Sequence, residues 1–350
     1  SRFAVRLLTG STPSAERDAI YQEFASGQAK LVVGTHALIQ GGVEFSDLRL
    51  AIIDEQHRFG VQQRATLRDK GTGNPHVLVM SATPIPRTLA LTLYGDLDLS
   101  VIDEMPPGRQ RIMTRWLSPL ERERAYSFVR SQVEQGRQAF IICPLVEESE
   151  KVEAKSAVEE HARLQKEIFP DLKLGLLHGR MKAEEKDAVM RQFRNGELHI
   201  LVSTAVVEVG IDVPNASVML VEGANRFGLA QLHQFRGRVG RGEHQSYCLL
   251  LADASTPDAE ARLRAISETN DGFKLAEEDL KLRGPGEFFG TRQSGLPDIK
   301  LAKLSDVRLL EMARNEAKNL FESDPDLSRP EHRLLSRKLH AFWQARTDLS

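Results

Sequence analysis

Cysteine is almost missing. Cys143 and Cys248 are the two present in 350 residues, each inside an apolar, strand-like run, residues 139–143 and 247–251. Small buried hydrophobes suit such positions better than a disulfide or a metal ligand, which points to a reducing cytoplasm. Long hydrophobic runs are missing as well: none approaches the roughly 20 residues that a membrane span needs. The opening Ser1-Arg2-Phe3-Ala4-Val5 has no signal-peptide pattern, so a soluble, cytoplasmic chain without membrane contact is expected. An excess of one charge is lacking too. With a formal net charge of −2, any nucleic-acid track must be a local patch, which composition does not locate. No periodic repeat or low-complexity tract occurs, nor does a Gly-x-x-x-x-Gly-Lys-Ser/Thr phosphate loop.

What is present begins with size, since 350 residues are too many for one comfortable core and favour two α/β lobes with a smaller appendage. Two stretches carry chemistry. Residues 231–242 hold Arg236, Arg238 and Arg241 within two helical turns, separated by Gly237 and Gly240. Glycines lower helix propensity where a surface helix would use Ala or Glu, so something is expected to approach this backbone closely. A guanidinium fork suits phosphate oxygens, and a triphosphate clamped from outside its own binding domain fits; a solvated basic helix is the alternative. The second stretch is the apolar run 48–53 ending in Asp54 and Glu55. It reads as a buried parallel strand delivering acids to its C-terminal edge, where open α/β sheets bind ligands. There Asp54 can hold Mg²⁺ through water, with Glu55 beside it as a partner to the metal or as base for the water that attacks a γ-phosphate. An acidic strand end without function predicts the same residues.

Asp54-Glu55-Gln56-His57, Ser81-Ala82-Thr83-Pro84, the span from Ser203-Thr204 to Gly210-Ile211-Asp212, and the span from Gln234 to Arg241 resemble, in order, motifs II, III, V and VI of superfamily 2 helicases. Longer strings at 54–61, 81–88, 226–234 and 282–295 are similar to the RecG family of bacterial branched-DNA translocases. The resemblance covers nearly the whole chain. It implies ATP and Mg²⁺ as cofactors and branched DNA, replication forks and Holliday junctions, as partner. The expected fold is α/β: two RecA-like lobes with ATP between them, the first truncated at its N-terminus, and a helical appendage carrying a translocation hairpin and loop. The boundaries are 1–105, 106–253 and 254–350, with the Pro- and Gly-rich stretch 103–109 as linker.

By the same resemblance Gln234, Arg238 and Arg241 are catalytic, one arginine serving as finger, while Gly210, Asp212, Arg238 and Arg241 contact nucleotide. Asp212 is also what a turn ahead of Val213-Pro214 requires. Thr35, His36, His178 and Thr204 are implied to meet DNA; a strand-to-helix cap predicts Thr35 and His36 equally well. His57, Ser81 and Thr83 would relay the state of the γ-phosphate, and Arg283 and Gln293 would couple it to DNA movement. Adjacent Phe288 and Phe289 read as loop anchors rather than a base-stacking platform. The missing phosphate loop and a DNA-gripping wedge domain are expected upstream, so the chain alone is expected to be a monomer unable to hydrolyse ATP. Two rivals stand beside this reading: the motor of the transcription-repair coupling factor, and a non-catalytic DNA-binding half-motor.

Overall fold

A computed structural model describes residues 4–38, 43–55, 75–81, 98–106, 109–144, 150–205, 213–253, 256–288 and 307–347. They fall into two compact units, Ser1–Thr83 and Pro84–Ser350.

In the first unit, strand β1 (Val5–Leu8) pairs in parallel with β2 (Leu31–Gly34) across helix α1 (Ser14–Ala25). Parallel neighbours need such a crossover. Ile20 and Phe24 of the helix join Leu8, Ala29, Ala37 and Val43 in a small core. A second parallel pair joins β3 (Leu50–Ile53) to β4 (His76–Val79). Its register sets Ile53 opposite Val79, and Met80 N donates to Ile53 O at 2.8 Å, so the two strands end together.

The second unit is built on one parallel six-stranded sheet in the order β5-β10-β9-β6-β8-β7. The strands are β5 (Met113–Leu117), β6 (Gln138–Ile142), β7 (Leu174–Leu177), β8 (Ile200–Ser203), β9 (Ala216–Glu222) and β10 (Tyr247–Leu251). Between them lie α2 (Arg122–Glu134), α3 (Glu150–Arg163), α4 (Ala183–Arg194) and α5 (Leu229–Arg236). The path runs outward from β5 through β6 to β7 and returns through β8, β9 and β10. That reversal puts α2 and α3 on one face and α4 and α5 on the other. Strand residues alternate between the faces. Phe140, Ile142, Leu201, Met219, Val221 and Leu250 meet Phe193, Leu232 and Phe235. Ala139, Ile141, Val202, Val218, Leu220 and Leu249 meet Tyr126, Val129 and Leu164. Both cysteines are buried and free, and burial pushes both thiols up.

Beyond β10 the described residues are helical: α6 (Pro257–Glu268), α7 (Gly272–Phe288), α8 (Val307–Ser323) and α9 (Arg333–Thr347). Helix α7 does not stop at the glycines and proline near its end. It runs on through Gly284-Pro285-Gly286 to Phe288, a case of tertiary context overriding propensity, with its first half anchored in the core by Leu275. Among the described residues no helix is long and apolar enough to cross a membrane.

Candidate nucleotide and DNA site

The two carboxylates leave the end of β3 as a pair. Asp54 is exposed and Glu55 half-buried, and Glu55 N donates to Asp54 Oδ1 at 2.9 Å. Glu55 has φ 53, in the left-handed region that residues with a side chain seldom enter. Such backbone costs about 1–3 kcal/mol and clusters where a side chain has to be aimed. Because β3 and β4 end together, Ser81 emerges at the same edge one residue beyond Met80. Gly34 at the end of β2 admits no side chain, since a Cβ would lie 2.2 Å from Leu8 O. Exposed Thr35 follows it, with Thr35 N bonded to Leu8 O, and a single 3₁₀ turn, His36–Leu38, comes next. The side chain of His36, and residues His57 and Thr83, lie outside the described residues.

The three arginines of residues 231–242 do not act alike. Helix α5 ends at Arg236, and Arg236 is 2% exposed. Its Nη1 donates to Ile266 O at 2.8 Å and Thr269 O at 2.7 Å, and its Nη2 to His233 Nδ1 at 3.1 Å. The expectation that Arg236 holds an anion is therefore corrected: its charge is spent on carbonyls left unpaired at the C-terminal end of α6. Burial, then the Arg236 and Arg109 charges, push His233 down to about 4 and keep it neutral, so Nδ1 can accept. The glycines are corrected as well, because what approaches the backbone is the chain itself. Gly240, at φ +79, leaves 2.9 Å between a would-be Cβ and Ile112, and a Cβ on Gly242 would lie 2.3 Å from Pro214 O. Gln234 and Arg238 are half-buried and Arg241 exposed, with Arg241 Nε 3.4 Å from Gly237 O. The last two arginines thus sit past the helix, on a turn.

At the C-terminal edge of the second sheet, His178 follows β7 and Thr204 follows β8, and Thr204 N donates to Leu177 O at 3.2 Å. Thr204 is 2% exposed, and neither its Oγ1 nor His178 Nδ1 has a hydrogen-bond partner among the described residues. Burial, with Lys186 and Arg180 nearby, lowers the His178 pKa. Gly210, Asp212 and Gln293 lie outside the described residues, and of Arg283 only the backbone, within α7, is described. Two groups went unread in the sequence. His233 and Arg109 join this neighbourhood only through tertiary packing, and Arg109 had the composition of a linker.

Three family models match in chain order: DEAD/DEAH box helicase over 2–92, helicase conserved C-terminal domain over 122–243, and ATP-dependent DNA helicase RecG, domain 3, C-terminal, over 269–350. The ATP-dependent DNA helicase RecG of Synechocystis is 58% identical over 92% of this chain. By sequence, the chain belongs to the RecG family. The RecG of Bacillus subtilis is 52% identical over 96% of the chain. A structure of RecG bound to a three-way DNA junction superimposes with a TM-score of 0.67 at 50% identity, covering 88% of this chain and 40% of that one. Mss116p, bound to single-stranded RNA and AMP-PNP, shares the fold alone, at 19% identity and a TM-score of 0.55. The chain spans 39% of the Synechocystis RecG and 49% of the Bacillus RecG. The match over 269–350 is to a model specific to RecG.

Proposed function

We propose that this chain is the motor portion of an ATP-dependent double-stranded DNA translocase that remodels stalled forks and Holliday junctions in recombination and repair. The observation that carries it is the carboxylate pair at the end of β3, with Glu55 aimed by a left-handed backbone beside Ser81. Glu55 takes the proton of the attacking water, and Gln234 helps to place that water. Arg238 and Arg241 offset the charge that develops on the transferred phosphoryl group. Asp54 and Glu55 offer the hard carboxylate oxygens that suit Mg²⁺, and they would hold it with water and phosphate oxygens, where the ion would neutralise phosphate charge.

Thr35, His36, His178 and Thr204 line the DNA track, and His57, Ser81 and Thr83 pass on the state of the γ-phosphate. Gly210 and Asp212 contact the nucleotide. The working division is 1–105, 106–253 and 254–350, with the last part coupling hydrolysis to movement. The junction-bound RecG structure supports branched DNA as partner. The test is Glu55→Gln in the full-length protein. ATP binding stays within about twofold while DNA-stimulated hydrolysis falls by roughly two to four decades, the usual worth of a general base. Equal loss of binding and hydrolysis would make Glu55 structural. The 350-residue chain by itself, without a Gly-Lys-Ser/Thr loop, is expected to release no phosphate on DNA.

A further inference from the structure

Arg236 closes helix α5 two residues before Arg238, and it is tied on both sides. On one side lies the arginine turn. Gly237 N donates to His233 O at 3.0 Å, Arg238 N to Phe235 O at 3.0 Å and Val239 N to Arg236 O at 3.3 Å, so the turn moves with the end of α5. On the other side lies the corner between α6 and α7. Arg236 Nη1 reaches Ile266 O in the last turn of α6 and Thr269 O just past its end. The corner is laced in its turn. Asp271 N donates to Thr269 Oγ1 at 3.1 Å, and Asp271 Oδ1 accepts from Phe273 N at 2.9 Å and Lys274 N at 3.3 Å in the first turn of α7. We propose that Arg236 is a positioning residue for DNA movement: it is the link by which a shift of the arginine turn on nucleotide binding redirects helix α7, which carries Arg283.

Three points carry this. Stability alone does not call for a guanidinium here, because a buried charge is often no more stable than an apolar side chain of its size. Among the described residues no carboxylate pairs with Arg236: its partners are the two carbonyls, the His233 imidazole and, at 3.5 Å, Thr114 Oγ1. What the fork supplies is direction. Bonds to two carbonyls three residues apart fix how the chain turns from α6 into α7, which a flexible lysine does less well. The third point is packing. Leu275 N donates to Asp271 O at 3.1 Å, and Leu275 shares a core with Leu232 and Phe235 of α5. Interiors packed to this density transmit a displacement rather than absorb it.

The inference rests on the function proposed above, and the experiment separates the two. In the full-length protein, Arg236→Met, Arg236→Lys, Asp271→Ala and Arg283→Ala are compared for kcat of DNA-stimulated hydrolysis, fork unwinding per ATP hydrolysed and melting temperature. Amide hydrogen exchange is followed at residues 237–242 and 269–275, with and without a non-hydrolysable ATP analogue. Wild type should respond to the analogue at both stretches. Arg236→Met should respond at 237–242 alone, keep kcat within about threefold and unwind about tenfold less per ATP, the usual size of a coupling between sites. Arg236→Lys should recover part of that loss, and Asp271→Ala, which opens the corner without touching Arg236, should repeat it more weakly. If wild type responds at neither stretch, or Arg283→Ala unwinds normally, the parent reading fails. If Arg283→Ala uncouples but Arg236→Met unwinds and responds as wild type does, the Arg236 assignment alone is overturned. It is overturned equally if Arg236→Met loses kcat and unwinding in step with melting temperature while Asp271→Ala keeps both the response at 269–275 and unwinding.

Discussion

Two residues two positions apart show how little identity says about role. Arg236 and Arg238 are the same side chain on the same stretch, yet one is buried under α6 and the other sits half-exposed on a turn. The difference is where the helix stops. His233 reports on the buried member. Its imidazole is held neutral down to about pH 4 in the fold, against about 6.5 when unfolded. Between those values the unfolded chain binds the extra proton, so stability is whole above about pH 6.5 and is lost as pH falls toward 4. The loss should be on the order of 2–3 kcal/mol. Urea unfolding of wild type and His233→Asn at pH 7, 6 and 5 checks it: the difference between the two proteins should shrink or change sign as the pH drops. A constant difference would mean that the imidazole titrates normally.

Elements were legible where the signal was local. The continuous apolar runs at 139–143 and 247–251 mark strands buried on both faces, and each stands where it was expected to within a residue or two. Asp54 and Glu55 were legible because an apolar run ending in two acids needs no tertiary information. The arginine turn was half legible. Residues 231–242 show the charges, but not that the helix ends at Arg236 or that Ile112 and Pro214, distant in sequence, lie against Gly240 and Gly242. Arg109 was illegible for the same reason, since a Pro-Gly-Arg linker does not show that its charge lies near His233. Helix α7 is the converse case, where Gly284-Pro285-Gly286 reads as a break that the fold ignores. One consequence is measurable in this chain alone. Gly240→Ala places a Cβ 2.9 Å from Ile112 at a backbone of φ +79. A loss of about 1–3 kcal/mol is expected from strain and crowding together. Ile112→Val should relieve part of it in the double variant, whereas additive losses would show that the backbone angle alone is responsible.

At the scale of the whole molecule, the parallel strands of the two units are followed in sequence by helices of the second unit, most of them within the RecG-specific match over 269–350. Arg283 lies near the end of α7, and Gln293 lies ten residues further on, outside the described residues. If these helices transmit rather than hydrolyse, Arg283→Ala or Gln293→Ala in the full-length protein should lower fork unwinding about tenfold or more, while DNA-stimulated ATPase changes by less than about threefold. Unwinding, ATPase and melting temperature measured on one preparation decide it, and parallel decline of all three would leave the helices with a packing role only.

The bonds from Arg236 to Ile266 O and Thr269 O also bear on how such a protein can be cut and recombined. A chain ended after residue 253 would keep every strand of the second sheet but lose Leu263, Ile266 and Leu275 from the core that Leu232 and Phe235 share. It would take from Arg236 both of its carbonyl partners and open to water the apolar side chains that α6 and α7 cover. The last strand is therefore no seam. Exchange of coupling modules between motors, in the laboratory or over evolution, has to carry α6 and the start of α7 with the motor, and a graft point further along α7 should yield soluble chimaeras where one at residue 253 yields aggregates.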